Sequence, residues 1–464
     1  MGIVSSVLVP HPPILLPEVG RGEERRLRAT TEAYEAAARF VAEARPDAIV
    51  ITTPHSVLYR DYFHISPGEG ARGDFARFGA PELRVRAAYD RALRWELCRL
   101  AQTEHFPAGT EGERDPALDH ATMIPLLFLQ RAYGAQPLPP ILRIGLSGLP
   151  LTEHYRLGML IRQAAENLGR QVSVVASGDL SHRLKPDGPY GYRPEGPQYD
   201  ARVMDVLGRA DFGELFSFSE SFCEAAGECG HRSFTILAGA LDGTAVSPRR
   251  LSCEGPFGVG YGVCLFTPGA PDGARRFLEA YRDRETRRIA ARREGEDPYV
   301  HLARLSVETY VRTGLRAAVP EGLPAELTAR RAGTFVSLHL RGQLRGCIGT
   351  IVPTAACVAR EILQNGVSAC SRDPRFPPVT KEELEALEYS VDVLGPAQDI
   401  ASPAELDVKR YGVIVTSGER RGLLLPDLEG VDTVDQQIDI ARQKAGIGRR
   451  EPVTLQRFEV VRHG

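Results

Sequence analysis

Three times the chain repeats one pattern, a short apolar run that turns abruptly polar and delivers a histidine. Ile3–Val9 leads into Pro10-His11-Pro12-Pro13, Ala48–Ile51 into Thr52-Thr53-Pro54-His55-Ser56, and Val172–Ala176 into Ser177-Gly178-Asp179-Leu180-Ser181-His182. Unbroken apolar runs of this length predict strands covered on both faces. Between the first two, Glu23–Ala44 has Leu27, Tyr34, Ala37, Ala38 and Val41 at helical spacing. Strand, helix and strand in that order predict a right-handed parallel βαβ unit. In open sheets of this kind ligands bind at the carboxyl ends of the strands, where all three histidines fall.

The pattern continues with helices over Ala87–Leu100 and Asp115–Gln130, the latter with Asp119 and His120 near its start. A strand over Pro139–Ser147, a helix over Thr152–Leu168, helices at Arg202–Leu207 and His231–Leu241 and a last strand at Gly260–Phe266 follow. Pro268–Gly273 breaks the rhythm, and Arg275–Arg293 interleaves acids with bases, which predicts a solvated helical connector rather than an RNA-binding arm. Beyond it a helix at Pro298–Thr313 precedes strands at Phe335–Leu340, Tyr389–Leu394 and Gly412–Thr416, with helices at Ala355–Asn365 and Thr433–Lys444. The expected fold is an α/β domain with a mostly parallel sheet flanked by helices over residues 1–268, a charged helical linker over 269–294 and an α+β domain over 295–464.

Composition narrows the function classes. A chain of 464 residues exceeds the size of a single core. With 57 basic and 60 acidic residues, a net charge of −3 gives no reason to expect nucleic acid or an anionic membrane as partner. The longest apolar runs, around Met123–Leu129, are too short to span a bilayer. Eight cysteines without a C-x-x-C pair point to reduced thiols and a cytoplasmic protein. Met1–Pro10 lacks the basic start of a signal peptide. Met1-Gly2-Ile3-Val4-Ser5-Ser6 fits a myristoylation pattern, but Gly2–Val9 reads more simply as the first strand.

Neutral imidazoles are common metal ligands, and two of them with one carboxylate form the facial set of non-haem Fe(II) sites. His11 and His55 are the expected pair. The third ligand is expected in Ala226-Gly227-Glu228-Cys229-Gly230-His231, where Glu228 offers a hard carboxylate and Cys229 a soft thiolate that would favour copper or zinc. His182 then reads as the acid–base group and His120 as a hydrogen-bond donor to substrate oxygen. Plainer readings stand beside these. Each histidine could complete a turn, Glu228 could be an ordinary helix-entry acid, and His64, His105 and His154 are expected at the surface. In the second domain Leu344–Thr350 (LRGCIGT) fits a tight hairpin with a packed thiol, or a reactive Cys347 whose pKa the charge of Arg345 lowers.

The succession His11 (VPHPP), His55 (TPHS), His120 (DHATMIPL), His182 (SGDLSH) and Glu228-Cys229-Gly230-His231 resembles the class III extradiol ring-cleavage dioxygenases of LigB type and their Memo relatives. That resemblance implies Fe(II) held by His11, His55 and the carboxylate at Glu228. It also implies acid–base catalysis by His182, substrate contact by His120, and a catechol-like substrate with dioxygen. Memo-type members carry a metal-site cysteine at the position of Cys229. LRGCIGT, with Ser371–Pro378 (SRDPRFPP) and Arg421–Pro426 (RGLLLP), resembles the AMMECR domain, which implies a cleft lined by Arg345, Cys347, Asp373 and Arg375. Together the halves resemble the fused component of the AmmeMemoRadiSam system. That implies a radical-SAM protein as partner, since this chain has no C-x-x-x-C-x-x-C run of its own. A metal-dependent oxidoreductase, a non-catalytic scaffold and a redox metal-binding protein are therefore the readings to separate.

Overall fold

The computed structural model describes residues 2–340, 342–428 and 430–464, and the chain divides into two compact units, Met1–Asp283 and Arg284–Gly464. In the first unit the strands are β1 (Ile3–Val9), β2 (Ala48–Thr53), β3 (Phe63–His64), β4 (Gly70–Phe75), β5 (Ala80–Ala88), β6 (Ala108–Gly109), β7 (Ile141–Gly145), β8 (Val172–Ser177), β9 (Thr244–Glu254) and β10 (Tyr261–Pro271). Six of them form one sheet in the order β7-β2-β8-β1-β10-β9. The four on the β7 side run parallel, and β10 and β9 close the other edge antiparallel. β8 therefore lies between the two strands that carry His11 and His55. Its register sets Val9 opposite Ser177 on one side and Thr52 opposite Ala176 on the other.

Alternation along the apolar runs fills two cores, since successive side chains of a strand point to opposite faces. Val7, Val9, Ile49, Ile51 and Val175 pack with helices Arg28–Glu43 and His120–Tyr133. Leu8, Ala48, Val50, Val174 and Ala176 pack with helices Arg91–Thr103, Leu151–Asn167 and His231–Ala240. An unbroken hydrophobic run is thus what a strand between two helical layers requires.

Several boundaries differ from the sequence expectation. The helix expected from Ala87 starts at Arg91, because β5 runs to Ala88 and Asp90 caps the helix by accepting the Leu93 N–H. The one expected from Asp115 starts at His120 behind the cap Asp119. Pro268 lies not in a break but in the β9–β10 ladder, opposite Val246. β9 itself, largely exposed along one side, leaves no apolar run to read. The charged stretch forms the helix Phe277–Glu294, within which the chain divides.

The second unit contains β11 (Thr334–Leu340), β12 (Gln343–Gly349), β13 (Leu387–Leu394), β14 (Gln398–Ile400), β15 (Gly412–Ser417), β16 (Arg420–Leu424), β17 (Thr454–Phe458) and β18 (Val460–His463). They form two four-stranded antiparallel sheets, β12-β11-β13-β18 and β14-β17-β15-β16. Helices Pro298–Thr313 and Val358–Ser371 cover the first, and Val434–Lys444 packs on the second. Among the described residues no helix is long and apolar enough to cross a membrane.

Candidate metal centre

The parallel strands release their chains at one edge, and four histidines meet there. His11 Nε2 and His55 Nε2 lie 3.1 Å apart. The ring of His120, the first residue of its helix, stacks on His55 at 4.3 Å between centroids and meets His11 edge-on at 5.4 Å. Ring nitrogens of His11, His55 and His120 all fall within 4.8 Å of one another, and so do ligand atoms of His11, Asp179 and Cys229. The two sets share His11, whose Nε2 is 3.7 Å from Cys229 Sγ and 3.9 Å from Asp179 Oδ2.

Each group is held from behind. The backbone N–H of His11 donates to Asp179 Oδ1 at 2.8 Å. That of His55 donates to Thr53 Oγ1 at 3.1 Å, and Thr53 Oγ1 donates to Asp119 Oδ1 at 2.7 Å. Asp119 also takes the N–H and hydroxyl of Thr122 at 3.0 and 2.9 Å, so one carboxylate fixes both the His55 turn and the helix start at His120. Asp179 N–H donates to Cys229 Sγ at 3.3 Å. This approach needs two glycines, since a side chain on Gly178 would run into the backbone of Gly230.

Electrostatics keep the imidazoles neutral. Burial, with help from the other three histidines, holds His11 well below its ordinary range. Burial takes His120 and His182 down to about 4 and lowers His55 as well. It also pushes Asp179 up to about 7 and raises the Cys229 thiol well above its usual value. Unprotonated imidazoles offer lone pairs, and a tetrahedral ion with bonds of about 2.0 Å sets its nitrogen ligands roughly 3.3 Å apart. The 3.1 Å between the two Nε2 atoms fits one shared ion, so the donor set suits a metal.

Glu228 stands apart. Its Oε2 accepts the His231 N–H at 2.6 Å, so the carboxylate serves the helix His231–Ala240 while the next residue, Cys229, faces the histidines. The expected Glu228 ligand is in neither of the two sets, and the N–H group it accepts from is one of those left open at the start of that helix. His231 is also turned away, between the Tyr199 hydroxyl and the Leu215 carbonyl, each at 3.1 Å. His182 presents a buried Nε2 with no hydrogen-bond partner among the described residues, and its ring lies 5.1 Å from that of the exposed Tyr190. His64 and His154, expected at the surface, are buried. His64 sits in β3, and His154 packs edge-on against Phe63 in the helix Leu151–Asn167. His105 is exposed.

Sequence reasoning missed Asp179 as a donor and Ser177 and Thr53 as supports. The polar run after each strand was their signal, but only strand order brings them to the histidines.

In the second unit Arg345 binds Glu383 through Nε and Nη2 at 2.6 and 3.0 Å and donates to the Pro377 and Pro378 carbonyls. Asp373 accepts the Cys347 N–H at 2.8 Å and chelates Arg375. Ser337 Oγ donates to Cys347 Sγ at 3.2 Å. The four motif residues thus gather beside β12, with Arg345 committed to Glu383.

Known proteins resemble the whole of this chain or part of it. Protein CA_C1420 of Clostridium acetobutylicum is 40% identical over all of this chain and 99% of its own length. A Thermotoga maritima protein is 51% identical over 36% of this chain and 98% of its own. The crystal structure of PH0010 from Pyrococcus horikoshii is 31% identical, covering 35% of this chain and 88% of that one, with a TM-score of 0.33. The AMMECR1 family model matches residues 300–463. The model for the catalytic LigB subunit of aromatic ring-opening dioxygenase matches residues 5–264, which include all four clustered histidines. By that match, which spans more than half of its length, the chain belongs to the LigB family and carries an AMMECR1 domain behind the LigB domain.

Proposed function

We propose that the first unit is a metal-dependent oxidoreductase that opens an aromatic ring bearing adjacent hydroxyls, using dioxygen. The observation that carries this reading is the pair of neutral imidazoles with Nε2 atoms 3.1 Å apart at the carboxyl edge of a parallel sheet. His11 and His55 would hold the metal, with a carboxylate from Asp179, whose oxygen lies in the same group as His11, or from Glu228; two imidazoles and a carboxylate favour Fe(II). Once bound, the metal would supply open positions at which the diol and dioxygen are brought together. The chain's own groups do the rest. His182, neutral and without a partner at Nε2, accepts a proton from the first hydroxyl. His120 hydrogen-bonds the second oxygen from the other side of His55. The Tyr190 ring beside His182 offers an aromatic face at the mouth of the site.

A second reading has its own support. Cys229 Sγ, 3.7 Å from His11 Nε2, is a soft donor, and a His–His–Cys set favours copper or zinc and redox metal binding without ring cleavage. Metal analysis after anaerobic purification, followed by oxygen uptake over a catechol panel, separates the two. Iron near one per chain with oxygen uptake supports the dioxygenase. Copper or zinc lost in Cys229→Ser, with no uptake by any metal form, supports the second.

A further inference from the structure

The helix His120–Tyr133 contains a proline at position 125, one turn after its start. Proline has no N–H, so the carbonyl four residues earlier loses its helical partner. That carbonyl belongs to Ala121, and it is buried, where an unpaired polar group is costly. It receives instead the hydroxyl of Ser177, the last residue of β8, at 2.7 Å. A serine has one proton to give, and a carbonyl can only accept. The Ser177 proton is therefore committed to Ala121. His11 Nδ1 lies 3.1 Å from the same Oγ, and this contact needs a proton as well. Only the imidazole can supply it.

We infer that Pro125, the Ala121 carbonyl and Ser177 form a relay that locks His11 in the tautomer with its proton on Nδ1, leaving the Nε2 lone pair bare toward His55, Asp179 and Cys229. Ser177 is a positioning residue, and Pro125 acts through it. The proline that weakens the helix is what aims the imbalance of donors and acceptors, since an ordinary residue there would satisfy Ala121 from within the helix. Ser177 would then be free to donate to Nδ1, and the proton could sit on Nε2, where it blocks a ligand. The inference rests on the metal reading for its purpose, but the tautomer itself is a property of the metal-free chain.

Nitrogen-15 NMR of histidine-labelled, metal-free protein tests it directly, with His11→Gln used to assign the His11 signals. The expected result is a protonated Nδ1 and an unprotonated Nε2 on His11. A proton on Nε2 in the wild type overturns the inference. Ser177→Ala should let the Nε2–H form appear and weaken Zn(II) binding about 10- to 100-fold, the usual cost of losing such a support. Ser177→Thr, which keeps the hydroxyl, should restore binding. Pro125→Ala should shift the tautomer in the same direction as Ser177→Ala, with a smaller loss of affinity. If Ser177→Ala binds Zn(II) as the wild type does while His55→Ala does not, the relay is wrong and the metal site stands. If His55→Ala also binds normally, the metal reading fails, and the NMR result alone decides the relay.

Discussion

Two regions of this protein gather the residues that the sequence marks out, and they differ in what their polar atoms are doing. Beside β12 every marked side chain has a protein partner. Arg345 is chelated by Glu383, Asp373 binds Arg375 and the Cys347 N–H, and Ser337 donates to the Cys347 sulfur. At the edge of the parallel sheet the engagement is thinner. Among the described residues His182 Nε2 is buried with no hydrogen-bond partner, and the Nε2 atoms of His11 and His55 have each other as close ring partners at 3.1 Å. Buried polar groups ordinarily find partners, so an unmet nitrogen beside imidazoles that face one another points to a place that receives something else. A fully paired cluster marks a place built to hold its own shape. The comparison says which substitutions should remove function and which should remove stability.

The sharpest attempt to break it is His55→Ala. If the facing nitrogens exist for a metal, this variant should lose bound metal by at least about 100-fold in affinity and should remain folded, as judged by metal titration and circular dichroism. His182→Phe, which touches no donor shared with His11, should retain the metal and lose ring opening. A His55→Ala variant that binds metal normally would mean that the imidazoles facing one another at this edge are not a metal site.

The matching test in the second unit is Asp373→Ala. Its carboxylate is buried and accepts from the Cys347 N–H and from Arg375. Removing it should destabilise that unit by about 2 kcal/mol, the range for a buried hydrogen-bonded carboxylate, with metal binding in the first unit unchanged. Hydrogen exchange over residues 343–349 reads the effect locally. A variant with unaltered protection there would put the β12 cluster in the same class as the histidines.

Acidification gives a gentler version. The guanidinium of Arg375, followed by the Cys347 N–H among the hydrogen bonds, draws the Asp373 carboxyl down to about 2 from its ordinary 3.8. Because the folded value is the lower one, the stabilisation is complete above about pH 4 and disappears as the pH falls toward about 2. Exchange protection across β12 should therefore weaken over that window, and Asp373→Asn should remove this component of the slope.

How much of this could be read from the sequence follows from what kind of information each feature needs. The strand ends that carry His11, His55 and His182 were legible, since an apolar run followed by polar residues is a local signal. The insertion of β8 between β1 and β2 was not, because strand order depends on crossovers and is not written in any one segment. β9 escaped because a half-exposed edge strand lacks a continuous apolar run. His64 and His154 escaped because their burial comes from neighbouring elements, a two-residue strand in one case and the Phe63 ring in the other. In the second domain the motif residues were legible as a group, but which of them are committed to one another is a matter of side-chain direction.

Side-chain direction also decides the smallest predicted effect, at a pair of neighbours within one loop. Glu228 and Cys229 are adjacent, and nothing in their spacing says which one faces the histidines. The structure separates them by direction. Glu228 turns to the His231 N–H at 2.6 Å, whereas Cys229 Sγ, which accepts the Asp179 N–H, sits 3.7 Å from His11 Nε2. Glu228→Gln keeps the shape and an acceptor oxygen but gives up the charge facing the helix N-terminus. It should cost about 1 kcal/mol, the usual scale for a helix cap, and leave metal affinity within about twofold. Cys229→Ser should do the reverse, altering affinity and metal preference at little cost in stability. Measured side by side by thermal denaturation and metal titration, the two variants ask whether side-chain direction, rather than position in a motif, separates the residue that shapes this loop from one that holds a metal. A Glu228→Gln variant that loses metal while its neighbour's replacement does not would reverse that assignment.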